Sequence, residues 1–156
     1  MKPTRIIDIY IPDTQGHSHL RLRAKIREND EKYEITKKLP LKNGDASAQT
    51  ENTIPLTKAE FDALAKSSDK CVVKDRFNLQ IENREAEVDV FCEKLGGLVL
   101  IDFEFLSEEE KRNFAKPQIA LADVTQEDFI AGGMLAGKSF AEITSELARF
   151  GYEKLN

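Results

Sequence analysis

The stretch 18–26, SHLRLRAKI, constrains the fold more than any other part of the chain, because its side chains alternate without a break. Leu20, Leu22, Ala24 and Ile26 fall on one side; His19, Arg21, Arg23 and Lys25 fall on the other. A period of two belongs to a β-strand with one apolar and one polar face. The polar side holds bases and no acid. The same sorting recurs further on. Lys74 and Arg76 share a face of a strand predicted over 71–80. Glu85, Glu87 and Asp89 make an acidic face over 85–91, and Asp102 and Glu104 repeat it over 98–106, set between Ile101, Phe103 and Phe105.

A solvated sheet face would produce alternation, and that is the simpler reading. Sorting by sign needs more. Like charges two residues apart on one strand face repel by about 2–3 kcal/mol at an effective dielectric near 20, and less in open water. A solvated face gains nothing from this. A face that binds a polyanion and its metal needs it, since clustered cations hold phosphate oxygens and clustered carboxylates hold Mg²⁺.

The remaining pattern predicts mostly strands in series. Residues 4–12 form one, closed by Pro12, with a turn at 13–17. A polar turn at 28–30 leads to a strand over 32–39, with Tyr33, Ile35 and Lys37 on one side. A polar loop covers 42–50, and 51–54 is a short strand running into Pro55. Thr57 and Glu60 form a capping box that opens a helix through Phe61, Leu64 and Ala65. Ser107 with Glu110 caps a short helix, whose run 107–112 reads as a solvated face. Another helix is predicted over 126–135 after Thr125. Ser139 with Glu142 caps the last helix, over 139–150, ended by Gly151. Short connections favour antiparallel pairing. The expected fold class is α+β: an antiparallel, closed or nearly closed β-barrel with flanking helices and a C-terminal helical segment. One domain covers 1–156, with the barrel about 4–106 and the helices about 107–156.

The chain has 156 residues, 40% hydrophobic and 33% charged, with a formal net charge of −5. That sign argues against general nucleic-acid binding but leaves room for a local anion site. No apolar run reaches the ~20 residues a membrane helix needs, and the N-terminus lacks a signal-peptide layout. A cytoplasmic location follows. Cys71 and Cys92 lack C-x-x-C spacing and read as buried thiols. His17 and His19 stand two apart with no third metal ligand in reach. Gly132 to Ser139 matches the P-loop spacing G-x-x-x-x-G-K-[ST], yet the preceding sequence reads as loop and helix where a P-loop needs a buried strand. A joint between two helices is the better reading.

The motifs LRLR (20–23), YEITKK (33–38), Glu51 before IP, KDR (74–76), AEVDVF (86–91) and GGLVLIDFEF (96–105) together resemble the CYTH family of triphosphate-tunnel proteins. That family includes thiamine triphosphatases, inorganic triphosphatases and class IV adenylate cyclases. The resemblance implies an antiparallel barrel whose charged strand faces point inward, with apolar faces outward under helices. It places Arg21, Arg23, Lys37, Lys74 and Arg76 on the phosphates, with Lys38 close enough to leave the lysine register open. It assigns Glu51, Glu87, Asp89, Asp102 and Glu104 to Mg²⁺ or Mn²⁺, and gives Lys37, Glu51 and Asp89 catalytic roles. Thr53 and Asp102 depart from the family's E-x-E pairs. The family's opening E-x-E-x-K strand has no counterpart here, and residues 4–12 look like its second strand; a missing strand would leave an unpaired barrel edge.

The implied activity is metal-dependent hydrolysis of a phosphoanhydride in inorganic triphosphate or an organic triphosphate, such as thiamine triphosphate or a nucleotide. A non-catalytic polyphosphate- or nucleotide-binding module and a class IV type adenylate cyclase are the alternatives. No nucleic-acid or membrane partner is implied, and a homodimer is left open.

Overall fold

The computed structural model describes residues 2–14, 20–40 and 49–156. The predicted loop at 42–50 and the pair His17 and His19 lie largely or wholly outside them. Among the described residues, seven strands form one antiparallel sheet: β1 Thr4–Ile11, β2 Leu20–Arg27, β3 Asp30–Pro40, β4 Gln49–Leu56, β5 Cys71–Ile81, β6 Arg84–Phe91 and β7 Val99–Phe103. The hydrogen-bonded order is β4-β3-β2-β1-β5-β6-β7. The sheet is strongly curled but does not close, because β4 and β7 end the order without pairing with each other. Of the closed or nearly closed barrel expected from the sequence, the strongly curled, unclosed form is the one observed. β1 lies inside the sheet, between β2 and β5.

Alternation divides the sheet into two faces. On the outer face Ile9, Leu22 and Ala24 pack with Phe61 of helix α1, Lys58–Ala65. Tyr33 meets Phe61 with ring centroids 5.1 Å apart. The capping box at Thr57 and Glu60 forms as predicted, so α1 starts where two orphan amides are satisfied.

The inner face is the one bearing Asp8, Arg21, Arg23 and Asp89, whose exposure is at most 8%. It is not charged throughout. At one end Tyr10, Val72, Phe91 and Leu98 form an apolar cluster with Leu135, Ala136, Ile143 and Leu147. Those last residues come from helices α3, Gly132–Leu135, and α4, Phe140–Ala148, and from the turn joining them. Helices thus cover both faces, where the family resemblance puts them outside. Fully burying a side chain such as Leu98, Leu135 or Ile143 contributes about 1.5–3 kcal/mol. This end of the curled sheet is a packed core, and the charged site occupies the rest.

Two predicted elements shrink. The helix expected over 126–135 is a 3-10 turn at Asp128–Ile130 followed by the four-residue α3. Asp123 takes both the amide and the hydroxyl of Thr125, so Thr125 caps no helix. The strand expected over 98–106 pairs only as far as Phe103, opposite Ala86. Beyond it, the Leu106 amide donates to Glu110 of helix α2, Glu108–Arg112.

The P-loop-like glycines have packing roles. A Cβ at Gly132 would collide with the Tyr10 hydroxyl, so the start of α3 lies on Tyr10 only as glycine. Gly137 has φ +84°, and its amide donates to the Cys71 carbonyl. A 3-10 turn, not a strand, precedes the motif. Cys71 and Cys92 are free, half-buried thiols, each pushed up by burial.

Candidate anion site

The site begins with β1 and β2. Their register sets Asp8 opposite Arg23 and Tyr10 opposite Arg21. Asp8 accepts from Arg23 Nε at 2.6 Å and from Arg23 Nη2 at 2.7 Å. Arg21 Nε is 3.9 Å from the same carboxylate, beyond hydrogen-bond range. It is a buried donor with no hydrogen-bond partner among the described residues. An unsatisfied buried donor costs roughly 1–3 kcal/mol, more when charged. A cation held in that state has a donor available for an acceptor that arrives from outside.

Burial alone would raise the Asp8 carboxyl, but the hydrogen bonds and charge of Arg23, helped by Arg21, bring it below the usual carboxylate range. Apolar residues in place of such a buried ion pair would often be as stable or more so. Packing therefore gives no reason to keep Asp8, Arg21 and Arg23 there, and buried charge of this kind clusters at functional sites.

A second cluster spans β5 and β6. Arg76 donates to both oxygens of Asp89, at 2.6 Å from Nε and 2.7 Å from Nη2, and Lys74 also bonds Asp89. Arg76 pairs with Glu87 as well, and its Nη2 lies 3.8 Å from Asp102. Asp89 is 1% exposed. Burial pushes its carboxyl up, and Arg76 and Lys74 pull it further down. Burial depresses the Lys74 ammonium despite Asp89. Enclosure and the charge of Asp89 raise the Asp102 carboxyl, although 63% of its side-chain surface is still accessible.

The third group lies toward β4. Lys25 pairs with Glu34 at 3.0 Å, Lys38 with Glu51 at 2.5 Å, and the hydroxyls of Thr36 and Thr53 meet at 2.9 Å. These contacts fix the inner side of β3 as Glu34, Thr36 and Lys38. Lys37 pairs in register with Leu20 and Asn52, so it points to the outer side and is exposed. Of the two lysines that the sequence left open, Lys38 and not Lys37 is on the side of the arginines.

Of the residues singled out by sequence, Arg21, Arg23, Glu51, Lys74, Arg76, Glu87, Asp89 and Asp102 share the inner face. Glu104 follows the end of β7 and is exposed, so it falls outside the ladder. Asp8 was missed. The signal was a lone acid in an otherwise apolar strand, IIDIYI, at the parity of Ile6 and Tyr10.

Among the described residues, no three or more His, Cys, Asp or Glu side chains are grouped to hold a metal ion. Asp89 has spent its oxygens on Arg76 and Lys74, so a metal cage made by the protein alone does not fit. Glu87 and Asp102 are direct cross-strand partners. Two carboxylates are what Mg²⁺ takes from a protein when substrate phosphates supply other ligands.

No protein-family model and no curated protein sequence matches the chain. Two crystal structures of NE1496 share its fold. One, described as a hypothetical protein, aligns with TM-score 0.59 and 23% identity over 87% of this chain and 86% of its own. The other, described as an inorganic triphosphatase, aligns with TM-score 0.58 and 24% identity over 85% and 81%. At this identity the likeness establishes the fold. No helix among the described residues is long and apolar enough to cross a membrane.

Proposed function

We propose that this chain is a triphosphatase of the CYTH type: it binds a triphosphate on the inner face of the curled sheet and hydrolyses one phosphoanhydride bond. The observation that carries the reading is the buried Nε of Arg21, without a hydrogen bond among the described residues, on the inner face that also bears Arg23 on β2 and Lys74 and Arg76 on β5. The shared fold with an inorganic triphosphatase supports it.

Arg21 takes the first phosphate oxygens, and Arg23 adds the guanidinium edge that Asp8 leaves open. Lys74, Arg76 and Lys38 supply further positive charge along the face. Donors fixed before the ligand arrives lose little energy in reorganising as charge builds on the leaving oxygen. Glu87 and Asp102 would be the acids to hold Mg²⁺ or Mn²⁺ when it is bound with the triphosphate, where the metal would neutralise charge on the phosphate oxygens. Glu51 orients water. Burial raises its carboxyl, but Lys38 more than offsets this and keeps it ionised at neutral pH. Inorganic triphosphate, thiamine triphosphate and nucleotides all present the group this face would recognise.

Phosphate release from tripolyphosphate with Mg²⁺ tests the hydrolase. A second reading, a binding module without turnover, is favoured by one observation: both oxygens of Asp89 are held in ion pairs. Tight binding by calorimetry with no phosphate released would select it. Neither binding nor release would overturn both.

A further inference from the structure

We infer that Asp8 is a positioning residue of the anion site, fixing the Arg23 guanidinium while lowering the affinity of the face for a free anion. The inference rests on the triphosphatase reading and deepens it.

Asp8 is 2% exposed and belongs to the middle of the sheet, with Arg23 opposite on β2 and Val72 opposite on β5. Its two oxygens grip Arg23 at Nε and Nη2 in parallel, which sets the plane of the guanidinium. The remaining edge of Arg23 is thereby aimed at one place. Arg21, 3.9 Å from the same carboxylate, stays unbonded at Nε. One acid therefore holds two neighbouring arginines differently: Arg23 is gripped by both oxygens, while Arg21 is paired at 3.9 Å with its Nε unbonded.

Carrying negative charge into an anion site works against ground-state binding. Holding a fork in register favours the transition state, where misplacement by an ångström can cost on the order of a hundredfold in rate. Affinity and turnover should accordingly move in opposite directions when Asp8 is neutralised.

The experiment compares wild type with Asp8→Asn and Asp8→Glu, reading tripolyphosphate affinity by calorimetry without metal and turnover with Mg²⁺. Asp8→Asn should bind at least about threefold tighter, since one opposing charge is gone. Its kcat should fall by about tenfold or more, since the paired grip is lost. Asp8→Glu keeps the charge and displaces the carboxylate, so affinity should stay within about threefold while kcat still drops about tenfold. It also serves if the asparagine variant does not fold. Weaker binding by Asp8→Asn, or unchanged kcat in either variant, would overturn the assignment. Binding without turnover by the wild type would instead remove the hydrolase reading, and the affinity comparison would still decide the role of Asp8.

Discussion

Lys38 and Glu51 face each other across β3 and β4, with Nζ 2.5 Å from Oε1. The pair fixes which lysine of the Lys37-Lys38 dipeptide lies with the arginines. A hydrogen bond to a charged group contributes about 1.5–3 kcal/mol. Lys38→Ala should therefore weaken tripolyphosphate binding by about tenfold, and Lys37→Ala by less than about twofold. Calorimetry on the two variants separates them, and equal losses would show that the β3 register is wrong.

The ion pairs of Asp89 predict a contrast in stability. Removing one partner of a buried pair leaves charge uncompensated and costs about 3–5 kcal/mol. Asp89→Asn strands Lys74 and takes from Arg76 its two-oxygen partner, so its unfolding free energy in urea should fall by about that amount. Asp102→Asn, on a side chain 63% accessible, should change it by less than about 1 kcal/mol.

The same pairs set an acid limit. The carboxyls of Asp8 and Asp89 are both held below their ordinary value in the folded chain. A depressed folded pKa gives stability that is present above the unfolded value, about 3.9, and lost as pH falls through the lower folded one. The melting temperature should drop as the buffer is taken from pH 5 to pH 2. The drop should be smaller in Asp8→Asn, which starts lower and has less to lose. A melting temperature level across that range would contradict the assigned pairs.

Removing the metal should divide binding from cleavage. With EDTA present, tripolyphosphate should still bind, through Arg21 and its neighbours, while phosphate release stops. Losing even a group that supports a metal ligand costs about 10–100-fold. The double variant Glu87→Gln, Asp102→Asn should accordingly need at least about tenfold more Mg²⁺ for half-maximal turnover. An unchanged Mg²⁺ requirement would move the metal away from β6 and β7.

Much of the sheet was legible in the sequence because alternation reports directly on faces. The run from Leu20 to Ile26 forms β2 with Arg21 and Arg23 inside, and the capping boxes at Thr57 and Ser139 both start helices. What alternation does not supply is the phase of a strand that is polar on both sides. Lys37 and Lys38 are chemically alike, so only the pairing with β2 and β4 tells them apart. Asp8 escaped for the converse reason: an acid in an apolar strand reads as a lapse in the pattern until Arg23 appears opposite. The helices over the inner face were hidden too, because Tyr10, Val72 and Phe91 share parity with charged residues on their own strands. Their apolar partners come from 135–147, distant in sequence.

In the proposed site the unbonded Arg21 Nε awaits a phosphate oxygen. Calorimetric titration of wild type and Arg21→Ala with tripolyphosphate, at fixed ionic strength and without metal, tests it most directly. Loss of a charge-assisted contact from a buried site should weaken binding by at least about tenfold. Equal affinity in the two proteins would mean that the anion, if it binds, sits elsewhere, and the site built around Arg21 would have to be abandoned.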